Sequence, residues 1–197
     1  MKPFAESCEQ NKHVILKVLK DEFSALKNIL EIGSGTGQHA VFFAAHLRHL
    51  QWQPSEQREN IPGITSWLAD YPYNNIAAPI TLNVKQHWPS NDTFDGVFSA
   101  NTVHIMEWAA VINLFEGIGN VLQKNGVFCL YGPFNYQRKF TSESNAQFDQ
   151  WLKTQDPARG IRDVDDLNEL AINNNLMLKK DIEMPANNRI LVWRRKG

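Results

Sequence analysis

Residues 29–37 read ILEIGSGTG, and no other stretch restricts the fold of this chain as strongly. Ile29, Leu30 and Ile32 make a short apolar run that carries one carboxylate, Glu31, near its end. Glycines then stand at alternate positions, Gly33, Gly35 and Gly37, with Ser34 between the first two. Beyond them Ala40, Phe43, Ala44 and Leu47 recur at helical spacing. A strand, a glycine turn and a helix in that order bring backbone N–H groups and a helix N-terminus up to a ligand. Glycine suits the turn because a residue without Cβ takes positive φ freely and lets the backbone approach a bound molecule.

The spacing argues against the commoner nucleotide motifs. A dinucleotide turn wants G-x-G-x-x-G, with the helix dipole aimed at pyrophosphate. Here the third glycine comes one residue early, and Gln38 stands where that pattern wants glycine. No Lys-Ser or Lys-Thr pair follows, so a phosphate-cradling P-loop is excluded too. The remaining pattern, E-x-G-x-G-x-G, resembles the first motif of class I S-adenosylmethionine (AdoMet)-dependent methyltransferases. The resemblance implies a glycine turn packed against the ribose and amino-acid part of a cofactor that has no phosphate. It makes Glu31, Gly33, Ser34, Gly35 and Gly37 candidate cofactor-binding residues.

At 197 residues the chain suits one domain with a sizeable core. The formal net charge of −1 and the scatter of basic residues argue against a general grip on nucleic acid. Cys8 and Cys129 are too few for a disulfide framework or a metal motif, and Cys129 inside VFCLY reads as a reduced core thiol. His46 and His49 have no third ligand at convincing spacing, so no metal site is expected. The segment MKPFAES has no apolar signal region and no stretch reaches membrane-spanning length. A soluble, cytoplasmic protein is expected.

Strand-like and helix-like segments alternate. Helices are predicted over 11–26, about 37–50, 66–70, 104–122, 145–153 and 163–174. Strands are predicted over 29–32, 50–53 (stopped by Pro54), 79–84, 94–100 and 127–131, followed by a helix-free pair over 176–182 and 189–194. The run 127–131 is apolar almost throughout, as in a parallel strand covered on both faces. Such alternation predicts a Rossmann-like, doubly wound α/β domain. Its seven-stranded, mostly parallel sheet would have one antiparallel strand and helices on both faces.

Ligands of open α/β sheets bind at the carboxyl ends of the strands, near the switch point. After the second strand, a ribose acceptor is needed, because a side-chain oxygen can take hydrogen bonds from adjacent hydroxyls. Glu56 lies 19 residues beyond Gly37, close to the separation of about 20 seen in dinucleotide folds. The methyltransferase resemblance instead points to position 53, which is Gln53 here, and both candidates stay open. After the third strand come Asn83 and Val84. Many class I methyltransferases have an Asp at the position of Asn83, on the adenine amino group, and an Asn carbonyl can accept the same bond. After the fourth strand, Asn101 is a cofactor candidate and His104 a catalytic one. The fifth ends in Tyr131, a second catalytic candidate, with Phe134 able to wall an acceptor pocket.

A wider resemblance covers nearly the whole chain. Its motifs are FAES with Asn11-Lys12, LEIGSGTGQHA, WQPSE, the step from Asn101 to His104-Ile105, and Tyr131-Gly132-Pro133-Phe134. They continue through Ser144-Asn145 with Phe148-Asp149, GIRD at 160–163 and MPANN at 184–188. Together they resemble the family that includes methyltransferase-like protein 26. This resemblance implies the class I fold and S-adenosyl-L-methionine as cofactor, and it leaves the methyl acceptor open. Two departures are Gln10, where that family usually has Arg, and Asn83 in place of the acid. On these motifs Asn11 and Lys12 would close over the methionine carboxylate. Arg162, Asn187 and Asn188 would form an acceptor-side rim, suited to a polar or anionic small molecule. Asp163 would belong to that rim or cap a helix.

The leading reading is an AdoMet-dependent methyltransferase acting on a small molecule. Catalysis would come mainly from holding donor and acceptor in line. A general base, His104 or Tyr131, is needed only if the acceptor must lose a proton first. Three alternatives stand beside it: an AdoMet-binding module without transferase activity that serves a partner protein, a nicotinamide-dependent oxidoreductase, and a methyltransferase of nucleic acid or protein.

Overall fold

A computed structural model describes residues 2–86, 88–89 and 93–197. Along the chain run α1 (Glu6–Glu22), β1 (Asn28–Ile32), α2 (Gln38–His46), β2 (Gln51–Glu56), a 3-10 turn (Arg58–Asn60), α3 (Ile61–Leu68), β3 (Ile80–Thr81) and β4 (Phe94–Ala100). The second half has α4 (Trp108–Val121), β5 (Leu122–Gly132), β6 (Phe134–Asn135), α5 (Glu143–Gln155), β7 (Arg162–Asp163), α6 (Val164–Asn173), β8 (Leu176–Met184) and β9 (Asn188–Arg195). Seven strands form one sheet in the order β3-β2-β1-β4-β5-β9-β8. The first five pair in parallel, and β9 runs antiparallel to both β5 and β8. This is the doubly wound arrangement that the alternation predicts, with β9 as the one antiparallel strand. Strand order reverses between β1 and β4, so the crevice for a ligand opens beyond Ile32 and Ala100.

The period of two along each strand divides the core between two helical layers. From β5, Val127, Cys129 and Tyr131 pack with Ile15, Leu19 and Phe23 of the α1 side and with Phe43 of α2. Phe128 and Leu130 face the other way, onto Leu114, Phe115 and Ile118 of α4 and Leu167 of α6. Burial of a side chain of this size stabilises the fold by about 1.5–3 kcal/mol. Covered on both faces, residues 127–131 of β5 have no polar side to show, which explains their continuous apolar sequence. Both cysteines are free thiols, and Cys129 is fully buried. Among the described residues no helix is long and apolar enough to cross a membrane.

Several boundaries differ from the sequence reading. β2 runs through Pro54 to Glu56. Trp52 turns its N–H and C=O outward to the 75–77 segment, donating to Asn75 and accepting from Ala77. Two residues on, the missing N–H of Pro54 faces that same outer side, where β3 pairs only from Ser55 onward. α3 begins at Ile61, so Pro62 sits in its first turn, where proline costs nothing, and does not bound the helix from outside. α4 starts at Trp108, four residues later than the apolar period suggests. β5 starts directly from that helix, because Leu122, its C-cap, already has extended backbone angles. β3 is shorter than the predicted 79–84.

Candidate active site

All three glycines of the turn have positive φ: +73° at Gly33, +55° at Gly35 and +91° at Gly37. At Gly33 a Cβ would lie 2.5 Å from Thr102 Cγ2, so only glycine lets β1 and the segment after β4 come this close. A Cβ on Gly35 would meet nothing within 4 Å. Two donors anchor the turn to β2, since Gly33 N–H and Ser34 N–H both reach Ser55 O, at 3.1 and 3.0 Å. Glu31 holds it from behind: its Oε2 accepts from Ser34 Oγ at 3.0 Å and from Trp52 Nε1 at 2.9 Å. Burial pushes this carboxyl up to about 7. Glu31 therefore braces the turn from inside the core and is not on a cavity wall.

Gln53 and Glu56 part company in the structure. Gln53 Nε2 donates to Pro54 O at 3.0 Å and to Ala78 O at 2.7 Å, tying β2 to the segment before β3. Glu56 ends β2 with Oε2 accepting the Gly35 N–H at 3.0 Å and Oε1 accepting the Gln57 N–H at 2.7 Å. A carboxylate on the first open N–H of the glycine turn stands at the cavity, and a side chain spent on strand edges does not.

Two cavities flank the segment that leaves β4. The first, of about 510 Å3, is walled on its polar side by Gly33, Glu56 and Asn83 and on its apolar side by Leu82, Val84 and Met106. Asn83 Oδ1 accepts the Lys85 N–H at 3.1 Å, so its amide group has a fixed orientation. Lys85 forms an ion pair with Glu107, and both residues stand on this wall. Asp156 and Arg159, from the loop after α5, complete it; nothing in the local sequence around them signals this role. The buried Nε of Arg159 lacks a hydrogen-bond partner among the described residues.

The second cavity, of about 580 Å3, lies across that segment and includes Asn11, Asn101, His104, Tyr131, Phe148 and Asn188 in its wall. Asn101 holds φ +58° and donates its N–H to Tyr131 O at 2.9 Å, which fixes the chain reversal after β4. Next to it Thr102 and Ile105 face the first cavity, so one short segment serves as a common wall. His104 does not open α4; it sits in the turn before Glu107, 4% exposed. Its ring packs edge-on against Phe148 at 5.3 Å, and Nδ1 is buried without a hydrogen-bond partner among the described residues. Burial, helped by the Arg162 guanidinium, pushes the imidazole down to about 4, so it is neutral at pH 7. Burial also raises the Tyr131 phenol, an effect partly offset by Asn11. Asn11 is itself pinned, accepting from His39 Nε2–H at 2.7 Å.

Five residues singled out in the sequence lie elsewhere. Lys12 forms an ion pair with Glu9 one helical turn away and sits 5.0 Å above the Phe42 ring, outside both cavities. Phe134 is fully buried in the core beneath α4. Arg162 donates from Nε to Val103 O at 3.1 Å and from Nη2 to Met106 O and to Ala158 O, the latter at 2.9 Å. Its fork thus binds the backbone of the common wall, and it lines a separate cavity of about 750 Å3. Asn187 braces the rim: Nδ2 donates to Ser144 Oγ at 3.3 Å and its carbonyl accepts from Asn145 at 3.2 Å. Asp163 caps α6 by accepting the Asp165 N–H at 3.0 Å.

A glycine turn at the switch point, with one antiparallel strand beside the sheet edge, defines the class I methyltransferase fold. Within it, the chain belongs to the family described as "Protein of unknown function (DUF938)", which it matches over residues 2–195. Solved structures with the same fold include the mitomycin 7-O-methyltransferase MmcR, at 14% identity and TM-score 0.81, covering 94% of this chain and 54% of that one. Human N-acetylserotonin methyltransferase in complex with SAM aligns at 12% identity and TM-score 0.80, over 98% of this chain and 53% of that one. The chain thus spans about half the length of these two. The YcgJ protein of Bacillus subtilis aligns end to end, at 13% identity and TM-score 0.75, covering 96% and 99%.

Proposed function

We propose that this protein is an AdoMet-dependent methyltransferase that acts on a small molecule in the cytoplasm. The observation that carries the reading is the common wall: Asn101 and His104 face one cavity while Thr102 and Ile105 face the other. A donor in the first cavity is thereby set against an acceptor in the second. The motifs quoted from FAES to MPANN support a place beside methyltransferase-like protein 26.

The residues around the first cavity fit the cofactor. Gly33 brings onto its wall a turn that no phosphate motif matches, while Gly35 lines a separate cavity with Thr36 and Asn60. Glu56 would accept the ribose hydroxyls, Asn83 would meet the polar edge of adenine, and Leu82, Val84 and Met106 would cover its faces. When bound, AdoMet supplies a methyl group on a cationic sulfur, which keeps the electron pair of the broken C–S bond. Asn101 and Tyr131, at the ends of β4 and β5, line the second cavity on the side of the common wall. Where the acceptor must lose a proton, the His104 imidazole is the candidate acceptor of it, a weak base because burial and the Arg162 guanidinium push it down to about 4. Holding both partners in line contributes most of the acceleration, and a base this far below the operating pH adds little to it.

Calorimetry with AdoMet, S-adenosylhomocysteine and NAD tests the reading. Saturable binding of the first two and none of NAD is expected. At ligand near 100 times its dissociation constant, binding raises apparent stability by about 2.7 kcal/mol. A melting temperature unmoved by millimolar AdoMet would contradict it. Release of S-adenosylhomocysteine in a metabolite screen would separate an enzyme from a module that only binds the cofactor.

A further inference from the structure

We propose that the second cavity selects an uncharged, planar, hydroxyl-bearing acceptor and rejects anionic and cationic ones; this rests on the reading of that cavity as the acceptor site. Among the described residues, no Asp, Glu, Lys or Arg stands in its wall. Recognition falls to carboxamides and hydroxyls, among them Asn101, Asn145, Asn188, Ser144 and Tyr131. The cationic residue nearest in the sequence motifs, Arg162, has its fork occupied by three backbone carbonyls and lines another cavity. The carboxylate nearest in sequence to Phe148, Asp149, is likewise withdrawn: it is buried, accepts the Ile161 N–H at 2.8 Å and pairs with Lys153.

A charged ligand entering such a pocket would lose its hydration and gain no opposite charge, which is unfavourable. A neutral ligand meets no such barrier. With their Nδ2 groups donating to Thr141 and Asn187 and to Pro185 and Ala186, Asn145 and Asn188 offer amide oxygens, which accept from ligand hydroxyl and N–H groups. A strongly directional feature is His104, whose buried Nδ1 has no partner among the described residues and is free to take a polar group of a ligand. Beside it, Phe148 stacks on Trp151 at 5.8 Å and 14°, and Trp151 is 55% exposed. These two rings make an aromatic edge leading from solvent to the imidazole, which favours flat acceptors. A volume of about 580 Å3 is within the range of small-molecule sites and too small for a folded partner.

The test uses three probes of matched size at pH 7.5: 4-hydroxybenzamide (neutral), 4-hydroxybenzoate (anionic) and tyramine (cationic). Each is titrated by calorimetry and saturation-transfer NMR into protein already shown to bind S-adenosylhomocysteine and saturated with it. The neutral probe should bind at least tenfold more tightly than either charged one. A second arm uses Gln10→Arg, since Gln10 stands on the same wall, is exposed and makes no side-chain hydrogen bond among the described residues. This variant should raise affinity for 4-hydroxybenzoate at least tenfold, so that the preference for 4-hydroxybenzamide over the anion is lost. Equal or tighter binding of a charged probe to the wild type, binding of none of the three, or no change in Gln10→Arg would overturn the inference while leaving the cofactor site standing. Absence of S-adenosylhomocysteine binding would instead remove the functional reading on which it rests.

Discussion

Glu56→Ala and Gln53→Ala should fail in opposite ways. Glu56→Ala removes the carboxylate that accepts the Gly35 N–H at 3.0 Å and, in the proposed site, the ribose hydroxyls. Hydrogen bonds to a charged group contribute about 1.5–3 kcal/mol. Because Glu56 is half-buried, the lower part of that range applies. A loss of about 1.5–2 kcal/mol corresponds to S-adenosylhomocysteine affinity falling about 10–30-fold. The Gly35 N–H it leaves behind is exposed and bonds water, so the folded state should lose less than about 1 kcal/mol. Gln53→Ala removes a 2.7 Å bond to Ala78 O that ties β2 to the segment before β3, and a 3.0 Å bond to the carbonyl of its own neighbour Pro54. Two neutral bonds of about 1 kcal/mol each lower the melting temperature by about 4–8 °C for a domain of this size. Affinity should stay within error of wild type. Titration calorimetry and scanning calorimetry on the same preparations read both quantities. Wild-type affinity in Glu56→Ala, or an equal loss in Gln53→Ala, would refute the reasoning.

Other perturbations follow from the same geometry. Gly33→Ala combines positive φ with a Cβ 2.5 Å from Thr102 and should cost about 3 kcal/mol, whereas Gly35→Ala meets open space and should cost about 1 kcal/mol. Equal denaturant midpoints for the two would contradict this. Arg162→Ala should lower stability by about 2 kcal/mol and weaken S-adenosylhomocysteine, because the 103–106 wall loses its anchor; intact stability with turnover alone reduced would place Arg162 on the acceptor. Acidification should destabilise the fold. His39 and His104 sit near 4 against an ordinary 6.5, so between those values the unfolded chain takes up protons that the folded chain refuses. Glu31, pushed up to about 7 from 4.5, acts in the opposite sense and loses stability as pH rises through that window. Two histidines against one carboxyl leave a net loss of about 1 kcal/mol per pH unit on going from 6.5 to 4.5. Urea midpoints should show that slope, and Glu31→Gln should about double it; an unchanged slope would contradict the assignment to Glu31.

The sequence discloses what local chemistry decides. The glycine turn, the bounds of β4 and the final strand pair all follow from glycine placement and apolar period. Side chains whose role is set by distant contacts were not legible. Periodicity runs His104 into α4, but Arg162, 58 residues further on, binds the carbonyls of Val103 and Met106 and holds that segment as a turn. Lys12 looked free to meet a carboxylate until Glu9, one turn earlier on the same helix, took it. Phe134 follows a Gly-Pro turn that suggests a pocket edge, yet β6 pairs with β7 and presses its ring into the core. Pro54 looked like a strand end because a sequence does not say which side of a strand faces an unpaired edge. The wall at Asp156 and Arg159 is a product of tertiary folding alone.

The most direct test of the account is a crystal structure of the protein with S-adenosylhomocysteine. The account predicts adenine between Asn83 and the Leu82–Met106 surface, the ribose hydroxyls on Glu56, and the sulfur directed past Asn101 toward His104. Ligand bound in any other cavity, or a first cavity left empty at saturating concentration, would contradict it.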